Sequence, residues 1–244
     1  NEFNARLNAA ISDKHKASLS FLLLQNEFNL ERESVPNNFT RTDKISLVNM
    51  GFSAFLHSNW TRRFSSSLTL VSSGYEQTAT TEHQNLQKTV QYKSSLFQNE
   101  LTDYRLQLEG SYHLSDSFML KAGYNLHQHS VDYINRGSDT NNTSFNQDVR
   151  STGLIHSPYV NLLSTIRRVS LNAGLRFNYF DLMKQTSVEP RVIMTFKAAT
   201  PLRLKASAGY QKQFLTQVSG VSIESIGGVE NQLWLLANGS TIPE

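Results

Sequence analysis

The chain has 244 residues, 39% of them hydrophobic, no cysteine, and a net charge of +3 from 23 basic and 20 acidic side chains. The lack of cysteine excludes disulfides and thiolate zinc sites, and the near balance of charge, with no clustered basic stripe, argues against nucleic acid as a partner. No apolar run approaches the roughly 20 residues of a membrane-spanning helix, which leaves a membrane β-barrel open, because its strands need only alternate.

Alternation organises the chain from its start. Ala5, Leu7, Ala9 and Ile11 alternate with Arg6, Asn8 and Ala10 over residues 2–12. After the turn SDKH, a second strand carries Ala17, Leu19, Phe21 and Leu23 and runs to about Leu30. Its pattern blurs at Leu22 and Leu24, where a bulge is expected to exchange the faces. Glu31–Asp43 is polar with one proline and reads as a long loop. A third strand, from Lys44 to about Leu56, sets Val48, Met50, Phe52, Ala54 and Leu56 on one face, and a fourth follows with Phe64, Leu68 and Leu70. The Gln- and Thr-rich stretch Glu76–Ser94 reads as a second long loop.

The fifth strand is clear: Tyr104, Leu106, Leu108, Gly110 and Tyr112 alternate with Arg105, Gln107, Glu109 and Ser111. The tight turn LSDS leads to a sixth, where Phe118, Leu120, Ala122, Tyr124 and Leu126 oppose Met119, Lys121, Gly123, Asn125 and His127. Asp132–Arg150 reads as a third long polar loop. A seventh strand, about Gly153–Ile166, does not declare which parity faces out. The clearest run follows the pair Arg167–Arg168. Val169 to Tyr179, Val188 to Ala198 and Leu202 to Tyr210 each keep apolar residues on one parity and residues such as Arg176, Glu189, Arg191, Arg203 and Lys205 on the other.

Period two over about ten residues means strands with one apolar and one polar face. Ten strands then join as five hairpins, with connections expected to alternate between short and long. That rhythm, with strands of the 9–11 residues a tilted transmembrane strand needs, predicts an all-β, antiparallel transmembrane β-barrel wall. A soluble sandwich is the alternative, but its strands tend to be only about five or six residues long. Short turns belong on the periplasmic side and long loops outside, so the chain is expected to begin and end extracellularly, with Phe214–Glu244 opening an outer loop. Unpaired strand edges cannot face hydrocarbon, where each lost backbone hydrogen bond costs several kcal/mol. The expectation is therefore a portion, residues 1–244, of a larger barrel, which expressed alone would not insert as a closed, heat-resistant one.

The succession LNAGLRFNYF (Leu171–Phe180), VEPRVIMTF (Val188–Phe196) and LRLKASAGYQKQF (Leu202–Phe214), followed by NQLWLLANGSTIPE, resembles the barrel of TonB-dependent outer-membrane receptors and, more loosely, those of Bacteroidota-type bacteria. The match covers about residues 150–244; earlier residues match in strand-and-loop rhythm. The resemblance implies a 22-stranded barrel closed by an N-terminal plug and driven by the inner-membrane TonB–ExbB–ExbD complex. It implies import of a scarce or bulky nutrient: a siderophore, cobalamin, haem, oligosaccharide or peptide. A surface lipoprotein is a further partner it allows. The plug, the TonB box and the last strands are absent from these residues. A passive porin, or from another class an outer-membrane barrel hydrolase, remain the alternatives.

Under this reading Arg105, Gln107, Glu109, Lys121, Asn125, Arg176, Glu189, Arg191, Arg203 and Lys205 face the lumen and the plug. Each also serves simply to solvate and salt-bridge the wall, as any large barrel requires. Arg176 is expected to pair with Glu189. His127, His129, Tyr133 and Trp234 are the ligand candidates of the outer loops, with Tyr92 and Phe145 beside them. His127 and His129 share a face at strand spacing, but no third ligand is identifiable, so no metal or cofactor is expected. No nucleophile elbow, HExxH or phosphate loop is present, and His127, His129 and Asp132 form the one local cluster that imitates a rim active site. The expectation is not an enzyme.

Overall fold

The computed structural model describes residues 1–139, 144–219 and 232–237, and all regular structure among them is β-strand. Ten strands form one antiparallel sheet in chain order: β1 (Glu2–Ala10), β2 (His15–Ser34), β3 (Phe39–Asn59), β4 (Phe64–Gln84), β5 (Gln91–Ser115), β6 (Phe118–Asp139), β7 (Ser144–Ile166), β8 (Val169–Phe180), β9 (Gln185–Lys197) and β10 (Arg203–Gly209). A separate two-stranded sheet pairs β11 (Leu215–Ser219) with β12 (Gln232–Leu236). No helix among the described residues is long and apolar enough to cross a membrane.

The ten strands and five hairpins stand where the alternation puts them, but the long loops do not. Glu31–Asp43 shrinks to the turn 35–38, and Glu76–Ser94 to residues 85–90. Most of Asp132–Arg150 likewise belongs to β6 and β7, whose ladder still pairs Ser138 with Ser144. The strands simply continue, because a hydrogen-bonded ladder needs no apolar residue on a face that meets water. The 25 residues of β5 rise about 80 Å at 3.3 Å each, or about 60 Å along the axis of a barrel with the usual tilt. That is about twice the hydrocarbon thickness of a bilayer, so β2–β7 form a wall standing well above it.

The bulge expected at Leu22 and Leu24 is also absent. β2 and β3 keep one register from His15↔Ser58 to Ser34↔Phe39, so both leucines sit on the otherwise polar face. The register shifts lie elsewhere, at His83/Gln84 and His113/Ser115. On β7 the ladder to β8 omits Ser157 and Pro158 yet resumes unshifted; proline has no N–H to give.

One face carries an exposed apolar belt. Tyr104, Leu108 and Tyr112 on β5 are 51%, 47% and 43% exposed, and Phe52, Leu70, Val160, Leu175, Val192 and Leu204 continue the belt on other strands. Water does not tolerate a contiguous apolar surface of this size, and hydrocarbon does. Phe64 opposite Tyr112 marks the short-turn edge, and Tyr104 and Tyr179 the other.

The opposite face is polar beside the belt but not above it. Ile45, Ala79, Phe97 and Tyr133 on β3–β6 form a buried cluster with Leu233 of β12. Ile155 and Phe180 form a second with Phe214. The hairpin β11–β12 is thus folded back across the inner face of the tall wall, touching β5, β6 and β7. Trp234 N–H donates to Asn99 Oδ1 at 3.0 Å, and Ala237 N–H to Phe214 O at 2.8 Å.

Candidate functional site

The register builds a row across five strands on the inner face. Glu109 of β5 stands opposite Gly123 of β6, Gly123 opposite Tyr159 of β7, Tyr159 opposite Arg176 of β8, and Arg176 opposite Glu189 of β9. Gly123 matters because it is empty. A Cβ there would lie 2.5 Å from the Tyr159 ring and hydroxyl, and without it the tyrosine lies flat over β6 and reaches β5. Its Oη donates to Glu109 Oε2 at 2.8 Å and accepts from Gln107 Nε2 at 3.4 Å. Lys121 Nζ donates to Glu109 Oε1 at 3.0 Å. On the other flank Arg176 Cζ lies 5.9 Å from the centre of the Tyr159 ring, and its Nη1 is 3.9 Å from Glu189 Oε2. Glu189 is 8% exposed and also accepts the Lys212 backbone N–H at 3.0 Å. Both carboxylates of the row are therefore committed, as partly buried charges must be.

Above and around this row lies a recess of about 350 Å³. Seven of the ten residues assigned inward by alternation meet in its wall: Arg105, Gln107, Glu109, Asn125, Arg176, Glu189 and Arg191. Lys121 joins through Glu109. Arg203 and Lys205 share the inner parity but stand exposed near the short-turn end of β10, outside the recess. His127 belongs to the wall as well. Named as an outer-loop ligand candidate, it stands within β6, which keeps its parity inward through residue 127.

The other loop candidates are also on strands. His129 points the same way, with Nδ1 2.9 Å from Asp103 Oδ2 and its ring 6.0 Å from that of His127. Among the described residues no group of three His, Asp or Glu side chains is placed to hold a metal. Tyr133 is 6% exposed, edge-on to Phe97 at 5.6 Å, so it packs the wall against the hairpin instead of meeting solvent. Trp234 sits in β12, edge-on to Tyr75 at 6.3 Å. Burial raises the hydroxyl pKa of both Tyr75 and Tyr133 above the usual phenol value. Tyr92 is at the outer start of β5, 38% exposed. The Phe145 side chain and residues 238–244 lie outside the described residues. Asp132 pairs with Arg150 Nε at 2.7 Å on the outer face, away from His127 and His129, so the imitation of a rim active site dissolves.

Sequence reasoning missed Tyr159, Asn161, Tyr210 and Gln211, all in the recess wall. The signal for the first two was the polar parity Ser157–Tyr159–Asn161, masked on the same face by Ile155 and Leu163. Tyr210 N–H donates to Pro190 O at 3.0 Å just past β10, and no alternation announces that turn.

No family model and no curated protein matches the sequence. Solved structures match in shape. The ferric yersiniabactin uptake receptor FyuA from Yersinia pestis superposes with a TM-score of 0.50 and 10% identity, over 82% of this chain and 40% of the receptor's. The RagAB peptide transporter gives 0.58 and 9% identity, over 97% of this chain and 36% of that one. The RagAB peptide importer in its closed-closed state gives 0.54 and 10%, over the same shares. The chain thus spans 36–40% of the length of these proteins. At such identities the likeness shows fold: the ten-stranded sheet has the form of a sector of such a wall.

Proposed function

We propose that this chain is a sector, residues 1–244, of the β-barrel of a TonB-dependent receptor in the bacterial outer membrane, and that the full barrel imports a scarce or bulky nutrient. One observation carries the reading: a single sheet carries an exposed apolar belt on one face and a committed polar row, Glu109–Tyr159–Arg176–Glu189, on the other. A fold shared with uptake proteins supports it.

On this reading Arg105, Gln107, Glu109, Lys121, Asn125, Arg176, Glu189 and Arg191, with Arg203 and Lys205 below them, face the lumen and the plug. The open edges of β1 and β10 pair with further strands of the same polypeptide. Outer-membrane lipid wets the belt, and TonB–ExbB–ExbD supplies energy through an N-terminal region outside these residues. A surface lipoprotein would accompany a peptide or glycan cargo. The chemistry is transport, not catalysis. The test is uptake by cells carrying the full-length gene, supplied in turn with a ferric siderophore, cobalamin, haem, an oligosaccharide and a peptide. Uptake of one that stops when TonB is depleted is the expected result; uptake indifferent to TonB makes the protein a passive channel and overturns the proposal.

A further inference from the structure

The recess holds charge that its own wall leaves unused. Three guanidiniums, Arg105, Arg176 and Arg191, line it against two carboxylates, Glu109 and Glu189. The carboxylates are already engaged: Glu109 by Lys121 and the Tyr159 hydroxyl, Glu189 by the Lys212 N–H and Arg176. Arg105 makes no hydrogen bond or ion pair with any described residue. Asp103, two residues back on the same strand face, lies within its electrostatic reach, but that carboxylate is held 2.9 Å from His129 Nδ1. His127, directly opposite Arg105 on β6, lines the same recess and adds a ring nitrogen to it. A positive, partly dehydrated hollow of this kind favours an anion, and guanidinium favours a carboxylate or similar oxyanion.

A second observation narrows the ligand. Asn125 is 8% exposed and lines the same recess, yet its Oδ1 has no hydrogen-bond partner. A buried acceptor left unmade costs about 1–3 kcal/mol, and a group that donates from within the recess would relieve it. Tyr159 supplies apolar ring surface in the same wall. The volume, about 350 Å³, is of the size that small ligands occupy.

We infer that this inner-wall recess is a subsite for a hydroxylated carboxylate: its carboxylate held by Arg105 and the His127 ring, and a hydroxyl donated to Asn125 Oδ1. This deepens the import reading by naming the chemical class of cargo the wall handles, and it rests on that reading only for the route by which the ligand arrives.

Binding in the purified protein needs no energy source, so the two claims separate. Full-length receptor in zwitterionic detergent is titrated calorimetrically with glucuronate, with glucose, which lacks the carboxylate, and with cyclohexanecarboxylate, which lacks the hydroxyls. Glucuronate should bind at least about tenfold more tightly than either, one charged hydrogen bond being sufficient for that factor. Arg105→Gln should weaken glucuronate about tenfold, and Arg105→Lys, which keeps the charge but not the fork, by less. Asn125→Leu should bring glucuronate and cyclohexanecarboxylate to equal affinity. Equal binding of glucose and glucuronate by the native receptor, no binding of any of the three, or unchanged glucuronate affinity in both Arg105 variants would overturn the subsite. TonB-independent uptake alongside intact glucuronate binding would sink the import reading alone.

Discussion

Replacing Gly123 by alanine tests the row at its one empty position. The new Cβ would stand 2.5 Å from the Tyr159 ring and hydroxyl and 2.6 Å from the Leu108 carbonyl oxygen, while ordinary contact begins near 3.4 Å. Tyr159 must therefore retreat by about 1 Å, the difference between those distances. That takes its hydroxyl from 2.8 Å to beyond bonding range of Glu109 and lifts its ring from the Arg176 guanidinium. Overpacking of this kind costs about 1–3 kcal/mol, and a hydrogen bond to a charged group about 1.5–3 kcal/mol. Glu109 keeps Lys121 and some water, its side chain being 21% exposed, so the second figure belongs at its lower end and the sum is about 3 kcal/mol. The assay is the guanidinium unfolding midpoint of the full-length protein in detergent, for Gly123→Ala, Tyr159→Ala and the double variant. Tyr159→Ala relieves the ring's share of the clash but not that of the Leu108 carbonyl, so the two changes should couple by about 1 kcal/mol. A Gly123→Ala protein within about 0.5 kcal/mol of wild type, or strict additivity, would refute the packing argument.

Phe180 is fully buried, its ring 4.8 Å from that of Phe214; Phe180→Ala should cost about 3–5 kcal/mol and speed proteolysis around residues 214–218, and an unchanged cleavage rate would detach the hairpin from this anchor. Asn99→Leu leaves the Trp234 N–H without its acceptor at about 1–3 kcal/mol. Its readout is Trp234 emission in a Trp60→Phe background, expected to shift red, and an unshifted spectrum counts against the docking. Arg176→Ala removes the neighbour of both Tyr159 and Glu189. On the proposed import reading it should lower stability and nutrient uptake together, and a variant normal in both refutes the proposed role of Arg176 in a barrel–plug contact.

The parity of β5, β6, β8, β9 and β10 was readable because those segments lie where one face meets hydrocarbon and the other water. That contrast writes a period of two into the residues, and it suffices to bring Arg105, Glu109, Arg176, Glu189 and Arg191 to one side. It fails above the belt. Thr78, Gln98 and Arg136 continue the ladder as well as any leucine, but on their outer face water replaces hydrocarbon, so nothing in their order distinguishes strand from loop. It fails on β7 for the opposite reason: Ile155 is apolar and faces inward, because Phe214 and Phe180 cover it, so both parities look buried.

What the sequence determined by itself is the antiparallel meander and the choice of face, since both follow from local alternation along one strand. What only the tertiary structure decided is which inward residues meet. Tyr159 reaches Glu109 across a glycine two residues beyond Lys121, and Trp234 finds Asn99 at a separation of 135 positions. Contacts between strands are set by register, and contacts across the inner face by the folding back of β11–β12. Neither leaves a periodic mark in the chain, because the energy that fixes them is shared between residues distant in sequence.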